Sequence, residues 1–226
     1  MPWGPEVVVF DVNETLSDMG PMAQRFEEVG APRHLASTWF AAVLRDGFAL
    51  ATTGRAEHFS RIGAVALRTE LVKAGLPDDV EDKVEHVMAG FGQLELHPDV
   101  VDGVGALHDL GVRLVTLTNG SAEVAERLLA RGGVRDHFER LLSVEDTTRW
   151  KPAAEAYQYA ADVCEVPLDR LLLVAVHPWD IDGASSAGMG TAWLNRADAP
   201  YPDYFRPPRF TAPTLTGLAE QLAPPS

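Results

Sequence analysis

Cysteine occurs once in the 226 residues, as Cys164, so no internal disulfide can form and a reducing, cytoplasmic setting is expected. Its spacing after Ala160 and Ala161 suggests a packed helix face rather than a reactive thiol. No apolar run approaches the roughly 20 residues that span a bilayer. The opening MPWGPEVVVFD has neither the basic start nor the leader-length apolar stretch of a signal peptide, which predicts a soluble chain with no membrane partner. Positive charge is scarce: 19 Lys and Arg face 33 Asp and Glu, a net charge of -14. Nucleic acid and anionic lipid repel such a surface, so neither is an expected partner, whereas an anionic small molecule in a locally positive pocket is compatible with it. Lysine is the rarer of the two cations, with three residues against sixteen arginines, so Lys151 stands out by falling within a motif. A dinucleotide fingerprint is also missing, because Gly103-Val104-Gly105 lacks the third glycine, and no cofactor is expected.

What is present is a series of short apolar runs, enough at 46% apolar content for one sizeable core. Val7 to Phe10, Leu114 to Leu117, Leu141 to Val144, Leu171 to Val176 and Thr191 to Leu194 read as buried strands. Residues 122–132 and 153–164 carry apolar positions at three- and four-residue spacing and read as helices. This alternation predicts parallel βαβ units in a doubly wound α/β sheet. Residues 17–96 break it, since every periodic stretch there is helical, with Gly20-Pro21, Ala31-Pro32 and Leu76-Pro77 as boundaries. They read as an all-helical insertion after the first strand, lying over the carboxyl edge of a core made from 1–16 and 97–226. Such an insertion can close a site against water. The proline-rich stretch from Asp198 predicts an irregular surface segment, then a short strand near Phe210-Thr211 and a last helix at 215–222.

Four segments place reactive side chains at predicted strand ends, where open α/β sheets bind ligands. Asp11 closes the first strand, with Asn13 and Thr15 in the turn after it, and a carboxylate there is costly without partners. Leu117-Thr118-Asn119-Gly120-Ser121 is a strand end running into a helix start. Its hydroxyls and amides can hold a carboxylate or oxyanion, although Ser121 can equally be a helix cap. Trp150-Lys151-Pro152 has Tyr157 six residues after Lys151, and Val176-His177-Pro178-Trp179-Asp180 ends the fourth strand. His177, with an ordinary pKa of about 6.5, can be the base for a hydrolytic water or can orient Trp179. Asp182 is expected to face solvent.

The segment FDVNETL at 10–16 resembles the nucleophile motif of the haloacid dehalogenase-like (HAD) hydrolases. The four segments together, with Trp193-Leu194-Asn195-Arg196, resemble the type II L-2-haloacid dehalogenases over nearly the whole chain. The resemblance implies a Rossmannoid core with a helical cap, a homodimer, and metal-independent hydrolysis at an sp³ carbon of a small-molecule carboxylic acid. It implies Asp11 as a nucleophile that forms an alkyl ester, and Lys151 as the cation that keeps Asp11 ionised. Asp180 would orient Lys151, and Thr15 or backbone amides would stabilise the oxyanion when water attacks the ester. Thr118 and Asn119 are candidate ligands for the substrate carboxylate, with Asn13, Phe40, Phe59, Trp179 and Tyr157 around the rest. Phosphatases of the superfamily carry a proton-donating Asp where Asn13 stands and a magnesium-binding Asp where Val176 stands. Neither side chain present can do that work, so no metal is expected.

The chain also departs from the type II pattern. Those enzymes carry arginine directly after the tryptophan matched by Trp39, tyrosine at the place of Asn13, serine at Ala175 and asparagine at His177. Here Phe40 follows Trp39; Arg45 points about 140° away on the same helix, and Arg33 lies at the helix start. Three readings stay open. One is a dehalogenase with a rearranged leaving-group site. Another is a hydrolase that opens a strained ring, such as an azetidine carboxylate, with Asn13 or His177 meeting the leaving nitrogen or oxygen. The third, a non-catalytic binding module, is disfavoured by the retained charges of Asp11, Lys151 and Asp180.

Overall fold

Six parallel strands form one sheet in the computed structural model, which describes residues 4–224. They are β1 (Val7–Phe10), β2 (Arg113–Thr118), β3 (Arg140–Ser143), β4 (Leu171–Ala175), β5 (Gly190–Leu194) and β6 (Phe210–Ala212), in the order β3-β2-β1-β4-β5-β6. All four β1 side chains are buried, as a central parallel strand covered on both faces requires. Val7 and Val9 join one core with α7 (Ala154–Cys164) and α8 (Pro178–Ala187). Val8 and Phe10 join the other with α5 (Val100–Asp109) and α9 (Leu215–Leu222). The chain builds β2 and β3 on one side of β1, then returns to place β4 on the other. The turns after β1 and β4 therefore diverge, leaving the crevice in which doubly wound sheets hold ligands.

Four helices come between β1 and α5: α1 (Met22–Glu28), α2 (Leu35–Thr52), α3 (Phe59–Lys73) and α4 (Val80–Phe91). Trp39, Leu67, Leu71 and Val87 are fully buried there, and Trp39 Nε1 donates to the Gly63 carbonyl at 2.9 Å, tying α2 to α3. Entry and exit of this segment run side by side. Asp18 N donates to Glu95 O at 2.8 Å and His97 N to Leu16 O at 2.9 Å. No helix among the described residues is long and apolar enough to cross a membrane.

Several elements differ from the sequence reading. Helix α5 was not foreseen, although Val100, Val104 and Leu107 have helical spacing; its Gly103 lets Leu215 of α9 approach, since a Cβ there would lie 2.2 Å from Leu215 Cβ. β4 stops at Ala175 rather than Val176, and Val144 opens a 3₁₀ turn instead of ending β3. Asp182 is part-buried rather than solvated, accepting a hydrogen bond from Arg206 N at 3.0 Å. Cys164 is buried on α7, as its spacing suggested.

Candidate active site

Asp11 leaves β1 into the crevice with 4% of its surface exposed, and each carboxylate oxygen has a partner. Lys151 Nζ donates to Oδ1 at 2.9 Å, and Thr15 Oγ1 donates to Oδ2 at 2.6 Å. The Thr15 oxygen in turn accepts from Val176 N at 3.1 Å, which joins the β1 and β4 turns. Burial works against the Asp11 carboxylate, but the charge of Lys151 and the nearby His177 outweigh it and hold the pKa far below the ordinary range. The side chain is therefore an ionised, desolvated carboxylate.

Lys151 is wholly buried and also donates to Asp180 Oδ2 at 2.6 Å. Burial opposes the ammonium, yet the two carboxylates keep its pKa above the usual lysine value. Tyr157 donates to Asp180 Oδ1 at 2.6 Å, completing a fully buried arm behind Lys151. Burial holds Asp180 above its ordinary pKa against the pull of Lys151. The backbone makes this approach feasible at Gly183. A Cβ there would stand 2.5 Å from Pro152 Cβ and 2.6 Å from the Tyr157 hydroxyl. Pro178 opens α8 in the first helical turn, and Gly188 closes it at φ 103, a conformation only glycine adopts cheaply. Asn119 clamps the Lys151 backbone from both sides, accepting from Lys151 N at 2.9 Å and donating to Lys151 O at 3.2 Å.

His177 lies on the opposite side of Asp11. Its Nε2 donates to Glu14 Oε2 at 2.8 Å. Its Nδ1 stands 3.3 Å from Asp11 Oδ2, close enough for charge attraction but misdirected for a hydrogen bond, so that atom has no hydrogen-bond partner. Burial disfavours the imidazolium, but Asp11 and Glu14 together outweigh it and raise the pKa to about 9. At neutral pH the ring is thus positively charged, which the sequence reading, starting from an ordinary histidine, did not foresee. Phe40 of α2 lies over one part of the ring with centroids 6.4 Å apart, and Trp179 stacks at 5.1 Å.

A cleft of about 270 Å³ opens beside these groups. Asn13, Thr118 and Ser121 line its polar side, and Phe59, Met88 and Phe91 its apolar side. A second cleft, of about 310 Å³, is lined by Glu14, Arg33 and Phe40. Asp11 lines neither; its neighbours Asn13 and Glu14 each reach one, and Phe40 packs against both Phe59 and His177. Ser121 caps α6 (Ala122–Arg131), accepting from Val124 N at 3.3 Å, so the capping role is real even though the residue also faces the cleft.

A sequence model of the haloacid dehalogenase-like hydrolases matches residues 5–188. The chain belongs to this family. Among curated relatives it is similar to haloacetate dehalogenase H-2 of Moraxella sp. (strain B), at 26% identity over 96% of this chain and 98% of the relative. It is likewise similar to (S)-2-haloacid dehalogenase 1 of Pseudomonas sp. (strain CBS-3), at 28% identity over 95% of each chain. A crystal structure of a dehalogenase with an intermediate complex superposes with a TM-score of 0.92 at 25% identity, covering 100% of both chains. The α/β fold expected of a HAD hydrolase is therefore the fold observed.

Within this HAD hydrolase, the structure sorts the expected site residues. Thr15, Lys151 and His177 converge on the Asp11 carboxylate, and Asp180 reaches it only through Lys151. Asn13, Thr118 and Phe59 face the first cleft, and Phe40 the second. Tyr157, expected around the substrate, is instead fully buried beneath Asp180, and Asn119, expected on the substrate carboxylate, spends both ends of its amide on Lys151. Trp179 packs between His177 and Phe48 rather than facing either cleft described above. Arg45 is exposed and paired with Asp46, while Arg33 pairs with Glu27 at the rim of the second cleft, so neither delivers a cation to Asp11. Glu14 was missed altogether. Its left-handed backbone, φ 63, and the bond from His97 Nε2 to its carbonyl at 2.9 Å aim it at His177, and nothing in its local sequence announces that role. The magnesium of HAD phosphatases does not suit this donor set: every oxygen of Asp11 and Asp180 already faces Lys151, Thr15, His177 or Tyr157, and Val176 offers no oxygen side chain.

Proposed function

We propose that this HAD hydrolase displaces a leaving group from the sp³ carbon next to a carboxylate, through an ester on Asp11, in the manner of the 2-haloacid dehalogenases to which it is similar. The observation that carries the reading is the ionised, buried Asp11, held on one oxygen by Lys151 with an amide, Asn13, at the place of a phosphatase's acid. Asp11 attacks carbon, the halide leaves with its electron pair, and water then attacks the ester carbonyl, returning the Asp11 carboxylate and a 2-hydroxy acid. Thr15 and Lys151 support the carboxyl oxygens through both steps. Thr118, Asn13 and the start of α6 line the cleft that suits the substrate carboxylate, with Phe59 and Phe91 against its alkyl part.

Residues 17–96 act in this reading as a cap on a core of 1–16 and 97–226. The isolated bridge between the entry and exit segments at Ser17 and Leu96 supports those boundaries, and Phe40 and Phe59 carry the cap's contact with the site. Because Asp11 opens onto neither cleft, substrate entry in this reading involves movement of the cap, a motion of the kind that sequesters reactions from water. The single buried Cys164 suits the cytoplasm.

Ring opening is the weaker reading. Displacement at sp³ carbon expels the leaving atom opposite the attacking oxygen, whereas His177 adjoins the nucleophile itself. The test is halide release from chloroacetate and (S)-2-chloropropionate, with Asp11→Asn as the inactive control. Release abolished by Asp11→Asn is expected. Magnesium-dependent hydrolysis of p-nitrophenyl phosphate without halide release would overturn the reading.

A further inference from the structure

We propose that the segment Trp193-Leu194-Asn195-Arg196, at the end of β5, positions the Thr15 hydroxyl on the nucleophile, with Arg196 and Trp193 as the positioning residues. This rests on the aspartyl-ester reading and names what holds one of its two supports in place. Thr15 Oγ1 accepts from Val176 N at 3.1 Å and gives its single proton to Asp11 Oδ2 at 2.6 Å, the short distance of a hydroxyl on a carboxylate. Where that proton points depends on how the turns after β1 and β4 are held, because Thr15 lies in one and Val176 in the other.

Both turns present a carbonyl that their own backbone does not satisfy. Thr15 O accepts from Arg196 Nη2 at 3.0 Å, and Val176 O accepts from Trp193 Nε1 at 2.9 Å. Among the described residues neither carbonyl has another donor. One short segment therefore grips both residues whose side-chain and backbone atoms form the Thr15–Val176 link. The grip is itself anchored. Arg196 Nη1 donates to Asp99 Oδ1 at 2.6 Å, and Asp99 Oδ2 accepts from Leu215 N at 2.7 Å, which ties the guanidinium to the starts of α5 and α9. Trp193 is 6% exposed and meets Tyr201 edge-on, with ring centroids 5.0 Å apart. Between them Asn195 fastens the segment, bonding Ala199 through both ends of its amide at 2.9 Å.

Arginine suits this place because its planar fork serves Asp99 and Thr15 at once in a fixed geometry, which an ammonium does not. The consequence falls on catalysis. Charge develops on the Asp11 carboxyl oxygens when water attacks the ester, and a donor already in place stabilises it without reorganising. Thr15 supplies such a donor only while its backbone and that of Val176 keep their relative positions.

The test is a double-substitution cycle read on halide release from (S)-2-chloropropionate. Arg196→Met removes the donor to Thr15 O, and Trp193→Phe removes only the donor to Val176 O while keeping an aromatic ring. Each should lower kcat by about 10–10²-fold, the scale of an ångström of misplacement, with KM within a few-fold of the unaltered chain. In a Thr15→Val background the same substitutions should lower kcat by less than about twofold, because the hydroxyl they position is gone. Should Arg196→Met fail to fold, since it strands Asp99, Arg196→Lys and Trp193→Phe carry the cycle. Equal losses in both backgrounds, or no loss in the unaltered one, would overturn the proposal while leaving the ester reading intact. No halide release by the unaltered chain would remove the ester reading, and the role given to the hydroxyl with it. A second measurement needs no turnover: hydrogen exchange of the Val176 amide, which Thr15 Oγ1 protects. Its protection should fall at least about tenfold in Arg196→Lys and in Trp193→Phe, while the β1 amides of Val8 and Val9 exchange as before. Unchanged protection of Val176 contradicts the proposal.

Discussion

The Lys151 ammonium and the Asp11 carboxylate lie 2.9 Å apart in a pocket where neither retains more than 5% side-chain exposure. A pair so buried is weak support for stability but strong support for function, because desolvation consumes most of what the charges return. Removing one partner leaves the other uncompensated. Lys151→Met is expected to lower unfolding stability by about 3–5 kcal/mol, readable by denaturant titration. Turnover should fall by at least about a thousandfold, since the pair acts as a unit. A variant that kept both stability and rate would remove Lys151 from the account.

Gly183 sets the distance between α8 and the Lys151 turn. The Cβ of Gly183→Ala would press on Pro152 and on the Tyr157 hydroxyl, which donates to Asp180. The expected result is a loss of about 1–3 kcal/mol by overpacking. Turnover should fall up to about 10²-fold as Asp180 and Lys151 shift, since an ångström of misplacement has that effect. Thermal unfolding and steady-state kinetics read both.

Much of this arrangement was legible in the sequence, and the reasons are physical. Asp11, Lys151 and Asp180 are charged side chains at the ends of apolar runs, which a core tolerates only when they are paired. The doubly wound sheet followed from strand and helix periods. Glu14 was hidden because its role depends on a left-handed backbone and a contact with a residue 163 positions away. The charge on His177 was hidden for the same reason. Tyr157 and Asn119 lie beside the site, but their bonds to Asp180 and to the Lys151 backbone depend on tertiary contacts that spacing along a chain does not show.

The imidazolium of His177 makes stability depend on pH. Its folded pKa is raised from 6.5 to about 9, so the stabilisation it contributes is complete below about pH 6.5 and is lost as pH rises toward about 9. Asp11, with its pKa depressed, contributes above about pH 4 and loses that contribution only in acid. Melting curves of the unaltered chain should therefore decline between pH 6.5 and 9. His177→Asn should give a flatter profile over that window, and two parallel profiles would refute the charged ring.

Phe40 lines the second cleft and packs against Phe59, which lines the first. Phe40→Ala should cost about 3–5 kcal/mol, as loss of a buried aromatic ring does. It should also join the cleft beside Asn13 to the one beside Glu14. Relative kcat/KM should then shift from chloroacetate toward 2-halo acids with longer alkyl chains. An unchanged substrate order would show that Phe40 does not bound the substrate.

The central claim, an ester between substrate and Asp11, is tested most directly by one turnover in ¹⁸O water followed by mass analysis of the Asp11 peptide. Hydrolysis at the ester carbonyl leaves one labelled oxygen in the Asp11 carboxylate and an unlabelled hydroxyl in the first product. Label confined to the product hydroxyl, with none in Asp11, would mean that water attacked the substrate carbon directly and would contradict the account.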